Sequence, residues 1–261
     1  MNTTPVRPAR HLALVLAGVA FGFALPAFAA CDVHSGARTA ALVELYTSEG
    51  CSSCPPADRQ LVRLKEALDP DASAVPLSLH VDYWDEIGWK DPFAQGRFDQ
   101  RQAGLVRLGG HQTVYTPQFF VAGREVRNWP AGLADAVRQV NARRAVADLR
   151  IEAHPTAAGS LAVRVTAAAP GAGAALYVSI TESRLVSKVA RGENGGVTLH
   201  HDHVARLFFG PVALIGGRSD FIRELALPGL NAQNVDVAAF VADERSGNVL
   251  QALAATACTG P

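Results

Sequence analysis

The sequence predicts an α/β domain over residues 30–147, followed by an antiparallel β-sandwich-like domain over residues 148–261 and preceded by a secretory leader over residues 1–29. Three observations carry that reading. Up to residue 147, short β-branched and apolar runs alternate with stretches whose apolar residues recur every three or four positions, the pattern of an α/β layer. From Asp148 onward the runs alternate with period two, separated by glycine, proline and alanine and without a clear helix, as in a β-sandwich. Near the start, between a strand-like run and a helix-like run, lies a Cys-Ser-Ser-Cys dithiol, Cys51 to Cys54, around which the first domain is organised.

Hydrophobic residues make up 49% of the 261, enough to bury a substantial core. Lysine plus arginine and aspartate plus glutamate number 24 each, so the formal net charge is zero. That balance leaves no basic footprint for nucleic acid and no polybasic patch for a membrane. Arg7, Arg10 and His11 precede an apolar run over residues 12–25, which ends in Pro26-Ala27-Phe28-Ala29. The run falls short of the ~20 residues of a membrane span, and the small residues suit cleavage after Ala29. The expectation is an exported chain, periplasmic or secreted, with no membrane span once the leader is cut. An uncleaved anchor and a lipidated Cys31 are the open alternatives.

The first strand is expected over residues 39–47, with none placed before Ala40. Ser52 and Ser53 then suit capping positions, Pro55 and Pro56 suit a first helical turn, and Asp58 suits the positive end of the dipole. Ala57, Leu61, Leu64 and Leu68 mark one apolar helical face. Pro70-Asp71 is a turn, and residues 75–82 read as a strand running into an aromatic and acidic stretch with Tyr83, Trp84 and Trp89. Asp91-Pro92 opens an inserted helix over residues 93–108, ended by Gly109-Gly110. Residues 118–121 form a strand headed by Pro117, Gly123-Arg124 turns it, and residues 125–129 return as an edge strand. Pro130 opens a helix whose Leu133, Val137 and Val140 share a face. In the second half, Glu193-Asn194-Gly195-Gly196 is a turn between residues 185–190 and 197–204.

The dithiol carries the chemistry. At a strand-to-helix junction, unpaired N–H groups and the helix dipole stabilise a thiolate, pulling a cysteine below its free pKa of ~8.5. Cys51, with the better expected exposure, reads as the nucleophile and Cys54, about one turn into the helix, as the resolving thiol. Half a zinc site has the same spacing, and a plain structural disulfide is also open. The remaining cysteines, Cys31 and Cys258, lie near opposite ends of the mature chain, so in an oxidising compartment they are expected to pair with each other.

The run from Glu44 to Asp58, ELYTSEGCSSCPPAD, closely resembles the signature of a family of exported bacterial proteins, functionally uncharacterised as a group, whose amino-terminal half is thioredoxin-like. The resemblance extends to Thr116-Pro117-Gln118 and to residues 193–206. It implies an α/β thioredoxin-like domain followed by an antiparallel β-sandwich-like domain, and it suggests redox chemistry without supplying a substrate. In thioredoxin-like proteins a cis-proline stands beside the dithiol, and Thr116-Pro117 resembles that element. Many dithiol oxidoreductases also keep a buried carboxylate beneath the dithiol, a role for which Glu44 is the candidate.

The function expected is thiol–disulfide oxidoreductase chemistry on the thiols or disulfides of other exported proteins, with a redox partner protein and no organic cofactor. Catalytic candidates are Cys51, Cys54, Pro117 and Glu44. One rival reading is a periplasmic copper(I)-binding or copper-delivery protein using Cys51, Cys54 and His111, since thiolates suit copper(I). Another is a non-catalytic, disulfide-stapled interaction module. His201 and His203 would share one face of a strand and are a start on a metal site lacking a third ligand.

Overall fold

A computed structural model describes Met1 and residues 31–156, 159–171, 173–256 and 258. Apart from Met1, the expected leader lies outside the described residues. Of these residues 43% are in strand and 20% in helix, with three α-helices. From Cys31 the described residues run through β1 (Cys31–His34) and β2 (Ala41–Thr47), then α1 (Cys54–Val62), β3 (Ala74–His80) and α2 (Gly96–Leu108). A short hairpin, β4 (Gln118–Val121) and β5 (Arg124–Glu125), leads into α3 (Trp129–Asn141). Among the described residues no further α-helix follows; the strands are β6 (Asp148–Pro155), β7 (Ser160–Ala168), β8 (Ala174–Glu182), β9 (Leu185–Lys188), β10 (Thr198–His201), β11 (Val204–Ala213), β12 (Arg218–Ala226), β13 (Val235–Asp243) and β14 (Val249–Ala255), with one 3-10 turn at Ala232–Asn234.

Eight of these strands form one mixed sheet in the order β14-β13-β8-β11-β3-β2-β4-β5, and β1-β6-β7-β12 form a second, antiparallel sheet. The expected thioredoxin-like α/β domain followed by a β-sandwich-like domain is therefore corrected to a mostly β molecule built on large sheets. The join is made by β11, which pairs antiparallel with β8 and touches parallel β3 at Val204 and Ser78. Ser78 N–H donates to His203 O at 2.8 Å at this point. Period-two alternation reports that a segment is a strand and which residues face the core; it does not report which distant strand becomes its neighbour.

Burial follows the same plan. In β8, Leu176, Val178 and Ile180 face the core between the two sheets, while Ala175 and Tyr177 face the core under the helices. Val237, Ala239 and Val241 of β13 face the first of these, Ala238 and Phe240 the second. The sheet interior is thus apolar on both faces. The largest side chains sealed there include Tyr46, Phe98, Phe119 and Phe240, each of whose burial contributes about 1.5–3 kcal/mol.

Three local expectations shift. A strand does precede Ala40, because β1 pairs with β6, where Val33 stands opposite Ile151. The inserted helix begins at Gly96 instead of Phe93: Asp91 Oδ1 accepts the Phe93 N–H at 2.8 Å and Gln95 is extended. The expected edge strand over 125–129 stops at Glu125, since Trp129 and Pro130 already belong to α3. Among the described residues no helix is long and apolar enough to cross a membrane.

Candidate functional site

β2 delivers the chain to a double turn. Gly50 N–H donates to Ser48 Oγ at 3.0 Å, Cys51 N–H to Ser48 O at 3.2 Å and Cys54 N–H to Cys51 O at 3.2 Å. α1 starts at Cys54, and Pro55 and Pro56 occupy its first turn, where a missing N–H leaves nothing unpaired. Cys51 and Cys54 are joined as a disulfide with Cα atoms 5.4 Å apart, and Ser53 Oγ lies 3.3 Å from Cys51 Sγ. Ser52 and Ser53 are exposed, yet neither cysteine is. The better exposure expected for Cys51 is corrected.

What covers the turn comes from the far half of the chain. The loop over residues 189–197, joining β9 to β10, is laid across it. Asn194 Nδ2 donates to Glu49 O and Cys51 O, both at 2.9 Å, and Glu193 Oε2 accepts from Ser52 N–H at 2.9 Å and Ser52 Oγ at 2.7 Å. Trp84 and Trp89 flank the turn: an added Cβ on Gly50 would lie 3.4 Å from Trp84 Cβ, and Trp89 Nε1 donates to Glu49 Oε2 at 2.8 Å. Trp84 Nε1 also donates to Thr116 Oγ1 at 2.7 Å, bringing the cis Thr116-Pro117 bond to the same neighbourhood.

Beneath the turn lies a buried ionisable cluster. His80, at the end of β3, contacts Asp91 Oδ2 through Nδ1 at 2.7 Å, and His201, at the end of β10, contacts Glu49 Oε1 through Nε2 at 3.0 Å. The two rings stand edge to face with centroids 5.1 Å apart, and Phe93 packs against both. Burial pushes the Glu49 and Asp91 carboxyls up, but hydrogen bonds from His201, Ser187 and Trp89 in one case, and the His80 partner in the other, hold both below the ordinary carboxylate range. Burial works against a charged His80, and Asp91 reverses this to raise its pKa. Asp58, four residues after Cys54 and hence on the same face of α1, is raised by burial. Part of the Asp58 residue is exposed, but its Oδ1 is sealed. Among the described residues, His80 Nε2 and His201 Nδ1 are sealed side-chain nitrogens without a hydrogen-bond partner, and Thr47 Oγ1 and Asp58 Oδ1 are sealed in the same cluster.

Other candidates lie elsewhere. Glu44 pairs with Arg101 of α2, Oε1 at 2.6 Å and Oε2 at 3.1 Å, and accepts from Tyr46 Oη at 3.2 Å. Arg101 lies against the stacked pair Tyr177 and Phe240, 4.8 Å from each ring centroid. Burial opposes the charge of Arg101, and Glu44 outweighs it, so the guanidinium stays protonated. With both oxygens engaged, Glu44 anchors an arginine; the acid on the Cys54 face is Asp58. His111 sits near Glu125 of β5, Nε2 to Oε2 4.0 Å. Among the described residues no three or more His, Cys, Asp or Glu side chains are grouped to hold a metal ion, the set Cys51, Cys54 and His111 included. His203 has φ +58°, a left-handed residue between β10 and β11, so it does not continue the His201 face of a strand. Cys31 and Cys258 are joined as a second disulfide across 227 residues.

Asp58, His80, Asp91, Glu193 and Asn194 escaped sequence reasoning as site residues, because Asp58 and Asp91 suit caps, His80 suits a strand end and Glu193-Asn194 suits a turn. One signal was available: an ionisable residue ending the apolar run Leu77-Ser78-Leu79-His80 needs a partner if buried.

Comparison with known proteins agrees with this architecture. The family described as "Protein of unknown function (DUF1223)" matches residues 42–242. HBP35 of Porphyromonas gingivalis is similar in structure, with a TM-score of 0.68 at 17% identity over 85% of this chain and 76% of that one. Protein AGR_C_4864 from Agrobacterium tumefaciens is similar with a TM-score of 0.59 at 23% identity, over 85% and 96% respectively. Identities this low speak to fold alone. No curated protein matches the chain.

Proposed function

We propose that this chain, which belongs to the DUF1223 family of proteins of unknown function, is an exported thiol–disulfide oxidoreductase acting on cysteines of other exported proteins. The observation that carries the reading is the Cys51–Cys54 disulfide at the junction of β2 and α1, above a buried cluster able to hold protons. Thiolate at a helix start is activated by the dipole and by free N–H groups. In the reducing direction, the Cys51 thiolate attacks a substrate disulfide; a Cys51–substrate S–S bond forms and the second substrate sulfur leaves as a thiolate that takes up a proton. Cys54 then loses its proton and attacks Cys51 Sγ, forming the Cys51–Cys54 bond and releasing the first substrate sulfur. The protein gives up two electrons and the substrate disulfide gains them; oxidation of a substrate dithiol is the reverse. Asp58 is assigned the proton of Cys54, and Pro117, which has no N–H of its own, lines the substrate cleft. Because both cysteines are buried, exchange requires the turn to open.

The test is trapping. The Cys54→Ser protein, expressed with its leader in an exporting host, is expected to accumulate partners joined to Cys51 through bonds that dithiothreitol releases. Cys51→Ser is expected to trap none. Equal, negligible trapping by the two variants would abolish the exchange reading.

A further inference from the structure

Ser52 stands between the two cysteines, and its N–H and hydroxyl both point to one oxygen of Glu193, at 2.9 and 2.7 Å. Glu193 is held there by its surroundings. Its neighbour Asn194 is buried and fixed to Glu49 O and Cys51 O. Gly192 has φ +78°, and a Cβ on it would lie 3.2 Å from Trp89 Cβ. The two hydrogen bonds from Ser52 hold the Glu193 carboxyl below the ordinary range, so it is anionic at neutral pH.

A carboxylate in this position acts against the adjacent cysteine in two ways. It takes up the Ser52 N–H, the first backbone donor after Cys51, and it adds like-charge repulsion to a Cys51 thiolate. We propose that Glu193 sets the redox poise of the dithiol: its carboxylate disfavours the Cys51 thiolate, stabilises the Cys51–Cys54 disulfide relative to the dithiol, and biases the protein toward reducing the disulfides of its substrates. The sign follows from linkage. A disulfide is strongly oxidising when its reduced form is stabilised, most directly through a low-pKa thiolate; withdrawing that stabilisation makes the dithiol the better electron donor. The inference rests on the exchange reading and supplies the direction that reading leaves open.

Other charged groups lie on the elements around the turn. Glu49 lies within it, Asp58 on α1, His80 and Asp91 behind it, His201 on β10, Arg191 at the start of the covering loop, and Asp85, Glu86 and Lys90 on the stretch carrying Trp84 and Trp89. Glu49 and Asp91 are each matched by a histidine. Among the described residues, Glu193 is the carboxylate that hydrogen-bonds Ser52, the first of the two residues between the cysteines.

The test uses Glu193→Gln, which keeps an acceptor for Ser52 and removes the charge, beside Glu193→Ala, which removes both. In the Cys54→Ser background of the mature chain, Cys51 is titrated by thiolate absorbance and by its alkylation rate against pH. Glu193→Gln is expected to raise the Cys51 acid dissociation constant roughly three- to tenfold, a change of up to about one pKa unit. The difference is expected to shrink in 1 M salt, because the carboxylate is exposed. With both cysteines present, and above the Cys51 pKa, the glutathione equilibrium is expected to move toward the dithiol by a similar factor, at about 30 mV per tenfold. Less than a twofold change in both quantities overturns the proposal. So does a shift in Glu193→Ala that Glu193→Gln lacks, since that pattern leaves the captured Ser52 N–H as the whole effect and gives the carboxylate charge none. Trapping is scored separately in the same Cys54→Ser protein. Loss of trapping with the Cys51 shift intact sinks the exchange reading and leaves the electrostatic one standing; trapping without the shift does the opposite.

Discussion

Asp99 of α2 accepts the Asp82 N–H at 3.1 Å. Partial burial and the hydrogen bond shared with the Asp82 carboxyl push its pKa up to about 7. In the unfolded chain Asp99 ionises near its ordinary value of about 3.9. The folded state therefore binds more protons than the unfolded state between those values, and stability from this site falls as pH rises from about 4 to about 7. Below that window the contribution is complete; above it the loss is complete. Asp99→Asn is expected to raise the melting temperature at pH 8 and to narrow the wild-type difference between pH 5 and pH 8. Calorimetry at the two pH values checks this, and an unchanged melting temperature at pH 8 counts against the shared proton. At this scale the sequence was legible where chemistry is local. Cys51 and Cys54 announce themselves by spacing, and Pro55-Pro56 by their place after it. Glu44 was not legible, because its partner Arg101 lies 57 positions along and is chosen by how α2 crosses β2. His80 and His201 likewise meet only when β3 and β10 have converged.

Between elements, the tightest fit is at Gly123, in the turn from β4 to β5. It has φ +81°, and a Cβ there would fall 1.9 Å from Gly247 O in the turn from β13 to β14. Two hairpin turns, one from the middle of the chain and one from near its C-terminal end, are thus packed backbone to backbone, and Val249 N–H donates to Ala122 O at 3.2 Å beside them. Alanine at 123 would have both to adopt a left-handed backbone and to drive the turns apart. Gly123→Ala is expected to destabilise by roughly 2–4 kcal/mol, read as a lower urea midpoint with an unchanged slope. Gly104 supplies the contrast: it lies within α2, nothing stands within 4 Å of its missing Cβ, and its φ is unexceptional. Gly104→Ala is expected to be neutral or to stabilise by up to about 1 kcal/mol. Equal effects at the two glycines would show that the close approach at Gly123 is not rigid. Most elements were legible from periodicity and from their punctuation by proline and glycine. Their association was not, because the join of β11 to β3 involves one parallel contact between segments more than a hundred residues apart, and no local pattern marks it.

Across the whole molecule, the residues at Cys31 and Cys258 hold its two larger sheets together. β1 is the edge of the antiparallel sheet and β14 the edge of the mixed one, and the Cys31–Cys258 bond links the start of the first to the residues just past the second. Gln251 of β14 reinforces the same seam: its Nε2 donates to Gly36 O and Arg38 O, both at 3.1 Å, and its Oε1 accepts the Ala40 N–H at 2.7 Å. This second disulfide differs in kind from the first. Cys51–Cys54 closes a three-residue step and restrains little of the unfolded chain, whereas Cys31–Cys258 closes 227 residues. Chain entropy for a loop of that length gives a nominal ~5 kcal/mol, and measured values for native disulfides run nearer 2–4 kcal/mol. Replacing both Cys31 and Cys258 by serine is expected to lower unfolding free energy by about 2–4 kcal/mol while leaving Cys51 able to trap partners in the Cys54→Ser background. Urea titration measures the first quantity and the trapping assay the second. A loss of trapping at a denaturant-free stability that still keeps the protein folded would mean that the seam shapes the dithiol turn directly. Retained trapping with the expected loss of stability assigns the two disulfides to separate tasks, one holding the sheets in register at their edges and the other exchanging electrons at the end of β2.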